Sequence, residues 1–279
     1  MPTASARSFL FVPADQPRRL EKAWESPADV VIADLEDAVA EEAKGAAREV
    51  LRERLARPRT AGAVCVRINA LESAHAAADL ELLASAAAAV DAVMVPKAAA
   101  ATLAAAELGV PVIALVETAA GVLDAAAIAS APGVERLMLG TVDLTAELGV
   151  DITVDSPLLA AARATLALAS AAAGLAGPID GVWIDIADED GLRAEARVAR
   201  AAGFAAKACV HPRQLGPVEE ELAPSAEEVE RARRIVEAGE RALAAGEGAV
   251  ALDGRMVDLP VIERARRTLA AAGGEEGAA

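Results

Sequence analysis

The stretch VIALVETAAGVLDAAAIASAPGVERLMLGTVDL, residues 112–144, contains two strand patterns with a helix pattern between them. Val112–Val116 is a short apolar run of strand length, and Arg136–Leu139 has strand length and is apolar after its arginine. Ala119–Ala129 carries apolar residues at helical spacing. Strands that alternate with helices predict a parallel sheet whose strands are joined by crossover helices. This stretch therefore predicts one repeating unit of an α/β fold.

The same alternation continues on both sides of this stretch and gives eight predicted strands in roughly 200 residues. The strands are Ser8–Val12, Val30–Asp34, Ala63–Ile68, Ala92–Val95, Val112–Val116, Arg136–Leu139, Gly181–Ile184 and Ala206–Val210. Eight such units fit a (β/α)8 TIM-type barrel. A doubly wound sheet is the alternative, but its glycine-rich switch-point loop is not visible in the sequence.

The pattern changes after the eighth strand. We assign residues 1–212 to the barrel and residues 213–279 to a C-terminal extension and lid. The extension contains a charged helix near Ala226–Ala245, two short strands around an Asp253-Gly254 turn, and a final helix, Val261–Ala272.

Composition excludes several classes of protein. The chain has 279 residues, of which 54% are hydrophobic and 25% charged, so it is not a disordered chain. A net charge of −16 argues against nucleic-acid binding, and no uncharged apolar run is long enough to span a membrane. Cys65 and Cys209 lie in apolar runs and are expected to be buried free thiols, which favours a cytoplasmic protein. With two histidines and no tyrosine, a multi-histidine zinc site is excluded.

Ionisable residues follow most of the predicted strands, at the barrel rim where such folds place their chemistry. Glu117 follows the fifth strand and Asp143 the sixth, and two carboxylates on neighbouring strands suit Mg²⁺. Each has a simpler explanation: Asp143 as the N-cap of a short helix, and Glu117 as a buried partner of Arg67. Taken together, they favour a metal site.

Other rim residues suggest roles around such a metal. Arg67 lies in the apolar strand VCVRIN and would stabilise a developing enolate or alkoxide oxygen, unless it is tied to Glu36 or Asp37. Lys97 could bind a carboxylate or phosphate, or pair with the acidic rim. Arg18, with Arg19 and Lys22, forms a small basic face on the first helix that could receive a phosphorylated cofactor, although a solvated helix face is the simpler reading.

An ordered set of motifs resembles a known family. The motifs are FLFVPADQPRRLEKA, VVIADLEDAVAEEAKGAAR, VRINA, VMVPKA, IALVETAAGV, GTVDL, GFAAKACVHPRQL and DGRMVDLPVIERA. They resemble the HpcH/HpaI aldolase–citrate lyase family, most closely its citrate lyase β-subunit-like (CitE-like) members, alongside malyl-CoA and citramalyl-CoA lyases. The resemblance implies a TIM-type barrel that assembles as homotrimers or hexamers. It also implies Mg²⁺-dependent cleavage or formation of a C–C bond in a coenzyme A thioester.

Matched by motif, Glu117 and Asp143 correspond to the family's metal ligands and Arg67 to its catalytic arginine. Glu36 and Asp37 of DLED correspond to acids that hold metal-bound water.

The resemblance also covers residues around the substrate. Lys207 and His211 match a K-x-x-x-H-P segment near the cofactor, and Asp258 matches an acid that reaches a neighbouring subunit's active site. Backbone N–H groups of Gly140, Thr141, Val142 and Asp143 would cradle a substrate carboxylate. Many relatives read G-x-E-D where this chain has Thr141-Val142-Asp143, which could alter the loop and the substrate.

The expected reaction is the interconversion of a 3-hydroxyacyl-CoA with acetyl-CoA and a 2-keto acid such as oxaloacetate or glyoxylate. Four alternatives stay open: a metal-dependent aldolase on free keto acids, a Schiff-base aldolase using Lys97 or Lys207, hydrolysis of the thioester, and a citrate lyase subunit that receives its acyl group from a carrier protein. No nucleic-acid or membrane partner is expected.

Overall fold

Eight parallel strands form a closed barrel in the computed structural model, which describes residues 3–59 and 62–273. The strands are β1 (Ser8–Pro13), β2 (Val30–Asp34), β3 (Ala63–Arg67), β4 (Ala92–Val95), β5 (Val112–Val116), β6 (Val134–Leu139), β7 (Ile179–Asp180) and β8 (Ala206–Cys209). Each strand pairs with the next one in sequence, and β8 closes the barrel against β1. The predicted (β/α)8 TIM-type fold is confirmed.

Side chains that alternate along each strand divide the core into two parts. Phe9, Ile32, Cys65 and Met94 are among those that fill the barrel interior. Their sequence neighbours face outward and pack, with the surrounding helices, into a second cluster. Because side chains fill the interior, a site that binds small molecules has to form at the open rim of the barrel.

Ten α-helices belong to the described part of the barrel unit. They are α1 (Pro17–Trp24), α2 (Lys44–Leu55), α3 (Ala76–Ala86), α4 (Ala100–Ala105), α5 (Ala119–Leu123), α6 (Ala125–Ala129), α7 (Thr141–Leu148), α8 (Pro157–Ala172), α9 (Glu189–Ala201) and α10 (Leu215–Leu222). Short 3₁₀ turns occupy Glu41–Ala43, Ala87–Ala89 and Pro212–Gln214. The helix predicted over Ala119–Ala129 is split at Asp124, which ends α5 and begins α6.

The seventh strand was predicted wrongly at Gly181–Ile184. In the structure β7 is the preceding pair Ile179–Asp180, since Ile179 lies opposite Met138 of β6 and Asp180 opposite Lys207 of β8. The Gly-Val-Trp-Ile run that follows has strand-like composition but leaves the sheet, and 60% of Ile184 is exposed. Composition alone cannot show where a strand loses its neighbours.

The chain divides into two compact units, and the boundary falls after Leu222 rather than after residue 212. The difference is α10, which packs on α9, where Arg193 forms an ion pair with Glu220 at 2.8 Å. The sequence patterns did not predict α10 as a helix of the barrel.

The second unit is Ala223–Ala279, and its described residues, 223–273, contain two helices and a hairpin. Its elements are α11 (Ala226–Ala244), β9 (Ala249–Leu252), β10 (Arg255–Asp258) and α12 (Leu259–Ala272). The expected turn joins the two strands, with positive φ at Asp253 and Gly254 as a tight hairpin requires. Residues 274–279 of the predicted extension lie outside the described residues. Nowhere in residues 3–59 or 62–273 does a helix combine the length and apolar character needed to cross a bilayer.

The N-terminus of α11 offers a test of the second unit. Ser225 and Glu228 form a reciprocal capping box, in which the Ser225 side chain accepts a hydrogen bond from the Glu228 N–H and the Glu228 carboxylate accepts one from the Ser225 N–H. Ser225→Ala should lower the opening free energy of α11 by about 1 kcal/mol, measured by native-state hydrogen exchange. Glu227→Ala, in the same turn but outside the box, should cost only a few tenths of a kcal/mol. Equal losses in both variants would contradict the cap.

Candidate active site

A cavity of about 310 Å³ lies at the C-terminal ends of the barrel strands. Four ionisable residues that follow or end different strands line it: Asp34, Arg67, Glu117 and Asp143. Asp37 and the segment Gly140–Val142 also line it, as do the apolar residues Phe11, Leu115, Met138, Val182 and Val210. The fold therefore brings the two predicted metal ligands and the predicted catalytic arginine together.

Glu117 follows β5 directly and is only 2% exposed. Its Oε1 accepts a hydrogen bond of 2.8 Å from the backbone N–H of Lys97. Burial raises the pKa of Glu117 to about 8, and the negative charges of Glu36 and Asp143 add to this effect. Because its carboxylate lies close to other acids, a cation placed here would relieve their mutual repulsion.

Lys97 holds Glu117 through its backbone and Glu36 through its side chain. Its φ of +49° lies in the left-handed region, which is unusual for a residue with a β-carbon. In this conformation the Lys97 N–H donates to Glu117, and its Nζ donates to Glu36 Oε1 at 2.5 Å. The structure thus places Lys97 against the acidic rim, which is one of the two roles that the sequence allowed.

Gly140 permits a close approach between Glu117 and α7. A β-carbon at position 140 would lie 2.3 Å from Glu117 Cβ, a separation that real atoms do not reach. The Gly140 N–H is paired with the Val116 carbonyl, so it is not available for the predicted carboxylate cradle. The N–H groups of Thr141, Val142 and Asp143 remain suited to it, because first-turn N–H groups have no acceptor within their own helix.

Asp143 lies in the first turn of α7, which begins directly after Gly140. Among the described residues no group of three or more His, Cys, Asp or Glu side chains is arranged to hold a metal. The candidate site is instead a pair, Glu117 and Asp143, and Mg²⁺ is commonly bound by one or two carboxylates with water and substrate oxygens as the other ligands.

Arg67 ends β3 and forms a two-pronged ion pair with Asp34, which ends β2. Its Nε donates to Asp34 Oδ1 at 2.8 Å and its Nη2 to Asp34 Oδ2 at 2.6 Å. Nη1 lies 2.9 Å from Glu36 Oε2, and the guanidinium stacks 5.0 Å from the Phe11 ring centre. Burial alone lowers the pKa of Arg67, but the charge of Asp34 reverses this effect, so the guanidinium stays protonated.

The sequence patterns missed Asp34 as a site residue, although a signal was present. Side chains at every second position of a strand face the same side, so Asp34 faces the same side as Val30 and Ile32, which face the barrel interior. Arg67 likewise faces the same side of β3 as Ala63 and Cys65, which are also in the interior. The two alternations together place Asp34 beside Arg67 at the top of the interior.

The loop that carries Glu36 and Asp37 is held from behind by groups that the sequence did not single out. The buried Lys44 Nζ donates to the carbonyls of Leu35 and Glu36, both at 3.0 Å. The side chain of Asn69 donates to the Leu35 carbonyl as well. Burial raises the pKa of Glu36, and the positive charge of Arg67 opposes this effect. Asp37 is exposed at the cavity.

Lys207 was predicted to bind substrate or cofactor, and the structure contradicts this. The residue is 0% exposed, and its Nζ donates to Asp180, to Glu195 and to the carbonyl of Gly181. The reason is that side chains alternate between the two faces of a strand. Ala206 and Ala208 face the barrel interior, so Lys207 between them faces the helices.

Two other predicted residues of the barrel unit, His211 and Arg18, lie outside the cavity lining. His211 caps the Pro212–Gln214 turn, with its Nδ1 accepting from the Arg213 N–H at 3.1 Å. Arg18 is exposed on α1. Asp258 belongs to the second unit, where its Oδ1 accepts a hydrogen bond from the Val261 N–H at the start of α12. Their roles toward cofactor and substrate stay predictions.

Comparison with known proteins identifies the family of the chain. A family model described as HpcH/HpaI aldolase/citrate lyase matches residues 7–212. The chain belongs to the HpcH/HpaI aldolase/citrate lyase family. This confirms the resemblance seen in the ordered motifs.

Relatives of this HpcH/HpaI-family chain match it over nearly its full length. A citrate lyase subunit beta-like protein of Mycobacterium tuberculosis is 42% identical over 97% of both chains. A (3S)-malyl-CoA thioesterase of Cereibacter sphaeroides is 39% identical over 95% of this chain and 94% of its own. A crystal structure of CitE from M. tuberculosis in complex with magnesium, acetoacetate and coenzyme A has a TM-score of 0.82 at 42% identity, and covers 97% of this chain and 99% of that chain.

The ion pair at the rim of this HpcH/HpaI-family barrel predicts a large effect of removing Asp34. Asp34→Ala leaves the buried Arg67 guanidinium without its two-pronged partner and should lower the free energy of unfolding by about 3 kcal/mol in chemical denaturation. Asp37→Asn, three residues away but exposed, should change it by less than about 0.5 kcal/mol. A loss below about 1 kcal/mol for Asp34→Ala would show that Glu36 alone satisfies Arg67.

The raised pKa of Glu117 predicts how stability depends on pH in metal-free buffer. Folded Glu117 holds its proton up to about pH 8, whereas the unfolded carboxyl titrates near 4.5. Between these values the native state binds more protons, so the free energy of unfolding should fall as pH rises. Glu117→Gln should flatten this slope, with Glu36 supplying the part that remains. The exposed Glu107→Gln should leave the slope unchanged, and a slope unaffected by Glu117→Gln would refute the assignment.

Proposed function

We propose that this protein is a Mg²⁺-dependent carbon–carbon lyase. It would cleave a 3-hydroxyacyl-CoA into acetyl-CoA and a 2-keto acid such as oxaloacetate or glyoxylate, or form the 3-hydroxyacyl-CoA from these two compounds. The observation that carries the proposal is the cavity that joins the Glu117–Asp143 pair to the guanidinium of Arg67. Coenzyme A and magnesium in the CitE complex support it.

The residues present fit a magnesium ion. Glu117 is a buried carboxylate whose repulsion by Glu36 and Asp143 favours a bound cation, and the oxygen donors are of the type that Mg²⁺ prefers. Glu117 and Asp143 would be its ligands, and Glu36 and Asp37 would hold its water. When bound, the ion would polarise substrate oxygens and stabilise negative charge on them.

Arg67 would act on the oxygen where negative charge develops. Asp34 fixes two of its nitrogens and Glu36 lies against the third, so the guanidinium does not need to reorganise when substrate binds. The first-turn N–H groups of Thr141, Val142 and Asp143 would bind the keto-acid carboxylate.

Cleavage balances as a retro-Claisen reaction. The substrate hydroxyl releases its proton to solvent water, which later returns a proton to Asp258. The hydroxyl-bearing carbon becomes the carbonyl carbon of the 2-keto acid, while the C–C bond between it and the α-carbon of the thioester breaks. Its electron pair passes to the thioester as an enolate, whose carbon then takes a proton from Asp258. In the synthetic direction, Asp258 removes that proton from acetyl-CoA.

Assembly and location form part of the proposal. We infer a cytoplasmic homotrimer or hexamer in which Asp258 serves the active site of a neighbouring copy. A monomer should then be nearly inactive. Lys97, Arg18 and His211 are proposed to contact the carboxylate or the phosphorylated part of the thioester, and an acyl-carrier partner is the alternative source of the acyl group.

Calorimetry tests the proposed function directly. Oxaloacetate, pyruvate and glyoxylate would each be titrated with and without Mg²⁺, followed by acetyl-CoA into the best complex. Metal-dependent keto-acid binding that then admits acetyl-CoA supports the lyase. Keto-acid binding without a response to acetyl-CoA favours the free-acid aldolase or the carrier-dependent subunit. Unchanged Mg²⁺ affinity in Glu117→Ala would place the ion elsewhere.

Thioester hydrolysis is a second candidate, favoured by the 39% identical malyl-CoA thioesterase. Product analysis separates the two activities. A lyase converts its 3-hydroxyacyl-CoA into acetyl-CoA and a keto acid, whereas a thioesterase releases free coenzyme A and a hydroxy acid. Free coenzyme A as the main product from every thioester tested would replace the lyase with the hydrolase.

Asp258→Asn isolates the proposed proton transfer. Asparagine caps helices about as well as aspartate, so α12 should stay capped through residue 258. Turnover should fall by at least about 100-fold, the usual size of acid–base catalysis, with keto-acid and Mg²⁺ affinity unchanged. Asp253→Asn, in the hairpin turn of the same unit, is the matched control and should keep its turnover. Full turnover in Asp258→Asn would remove this residue from the mechanism.

A further inference from the structure

Four buried charges form a network between the barrel wall and two helices of the same unit. Asp180 of β7 accepts from Arg163 Nε at 2.8 Å and from Lys207 Nζ at 2.8 Å. Glu195 of α9 accepts from Arg163 Nη2 at 2.8 Å and from Lys207 Nζ at 2.6 Å. All four side chains are at most 1% exposed. Two cations and two anions balance, so the network carries no net charge.

The network lies where the barrel wall has least backbone pairing. β7 has two residues and meets β6 through the single pair Met138 and Ile179. The chain leaves the sheet at Gly181, and the Gly181 carbonyl accepts a hydrogen bond of 2.7 Å from Lys207 Nζ. Lys207 thereby fixes a carbonyl that no neighbouring strand pairs in the described ladder.

Gly181 is in turn packed against the first residue of α7. A β-carbon at position 181 would lie 2.3 Å from Thr141 Oγ1 and 2.6 Å from Thr141 Cγ2. Thr141 Oγ1 is buried and has no hydrogen-bond partner among the described residues, so this contact is one of packing alone. Since Thr141 opens the helix that carries Asp143, the position of Gly181 constrains where that carboxylate stands.

We propose that Lys207, together with Asp180, is a positioning residue that acts through Gly181 and Thr141 to hold Asp143 in place for a divalent cation. This inference rests on the proposed role of Asp143 as a ligand. Apolar side chains often replace a buried ion network without loss of stability, so stability alone does not require these four charges. A lysine amine fixing the Gly181 carbonyl has a geometric effect that an apolar side chain cannot reproduce.

The first test compares Lys207→Met with Leu82→Ala in the full-length chain. Leu82 lies buried on α3, outside the network, and its truncation destabilises the barrel without touching α7. Lys207→Met should speed hydrogen exchange of the α7 amides from Leu144 to Leu148 and weaken the affinity for Mg²⁺ alone about tenfold, the usual effect of losing an outer partner of a ligand. Leu82→Ala should do neither at an equal loss of global stability. Equal effects in both variants, or none in Lys207→Met, would overturn the proposal.

The second test addresses the contact between Gly181 and Thr141. Gly181→Ala should disturb α7 in the same way while leaving the four charges intact, and adding Thr141→Ala should restore part of the protection by removing the two nearest atoms. No change in α7 exchange in Gly181→Ala would refute this step, even if Lys207→Met fails to fold. The exchange readout needs no metal. If the wild-type chain binds no Mg²⁺, the proposed function fails, whereas the positioning of α7 is still decided by exchange.

Discussion

The pairing of Asp34 with Arg67 is the interaction on which the candidate site depends. The two residues are direct partners in the register between β2 and β3, so the parallel ladder itself sets their separation. A shift of one residue would turn the guanidinium from the barrel interior to the helix layer. The barrel therefore holds Arg67 in place through backbone register as well as through its side-chain ion pair.

From this pair the constraints spread around the rim. Glu36 follows Asp34 by two residues, and its backbone N–H donates to Asp34 Oδ1 at 2.9 Å. The Glu36 side chain then meets Lys97, whose left-handed backbone offers its N–H to Glu117. Asp34, Glu36 and Glu117 are thus linked in series, through the Glu36 N–H and then through Lys97. Such connected networks keep charged groups in place at a cost in stability.

The sequence predicted most of the fold because its signals are local. Strand composition and helical spacing identified seven of the eight strands, and the rim followed from the topology of a parallel barrel. The seventh strand failed because its length depends on which residues find partners, and Ile179–Asp180 finds them while the more strand-like Val182–Ile184 does not. The position of the domain boundary depended in the same way on α10 packing on α9, which no local pattern shows.

Site residues could be predicted from the sequence where they follow or end strands. They were harder to predict where the side chain's direction, into the barrel or toward the helices, decides whether it reaches the site. Glu117, Asp143 and Arg67 were found because residue type and strand end suffice. Asp34 was missed and Lys207 was misassigned, although alternation along β2 and β8 distinguishes inward from outward positions. The supports Lys44 and Asn69 could not be found from sequence, since their bonds to the Leu35 carbonyl exist only in the folded chain.

The charge states of Lys97 and Lys207 also bear on the mechanism. A Schiff-base aldolase needs a neutral amine, which is produced by a lowered pKa. Burial lowers the pKa of Lys207, but Asp180 and Glu195 reverse the effect and bring it above its usual value. Burial has the same effect on Lys97, and the hydrogen bond from Lys97 to Glu36 again raises the pKa. Both ammonium groups are therefore held in the charged form, and catalysis through charge stabilisation fits this rim better than catalysis through a covalent imine.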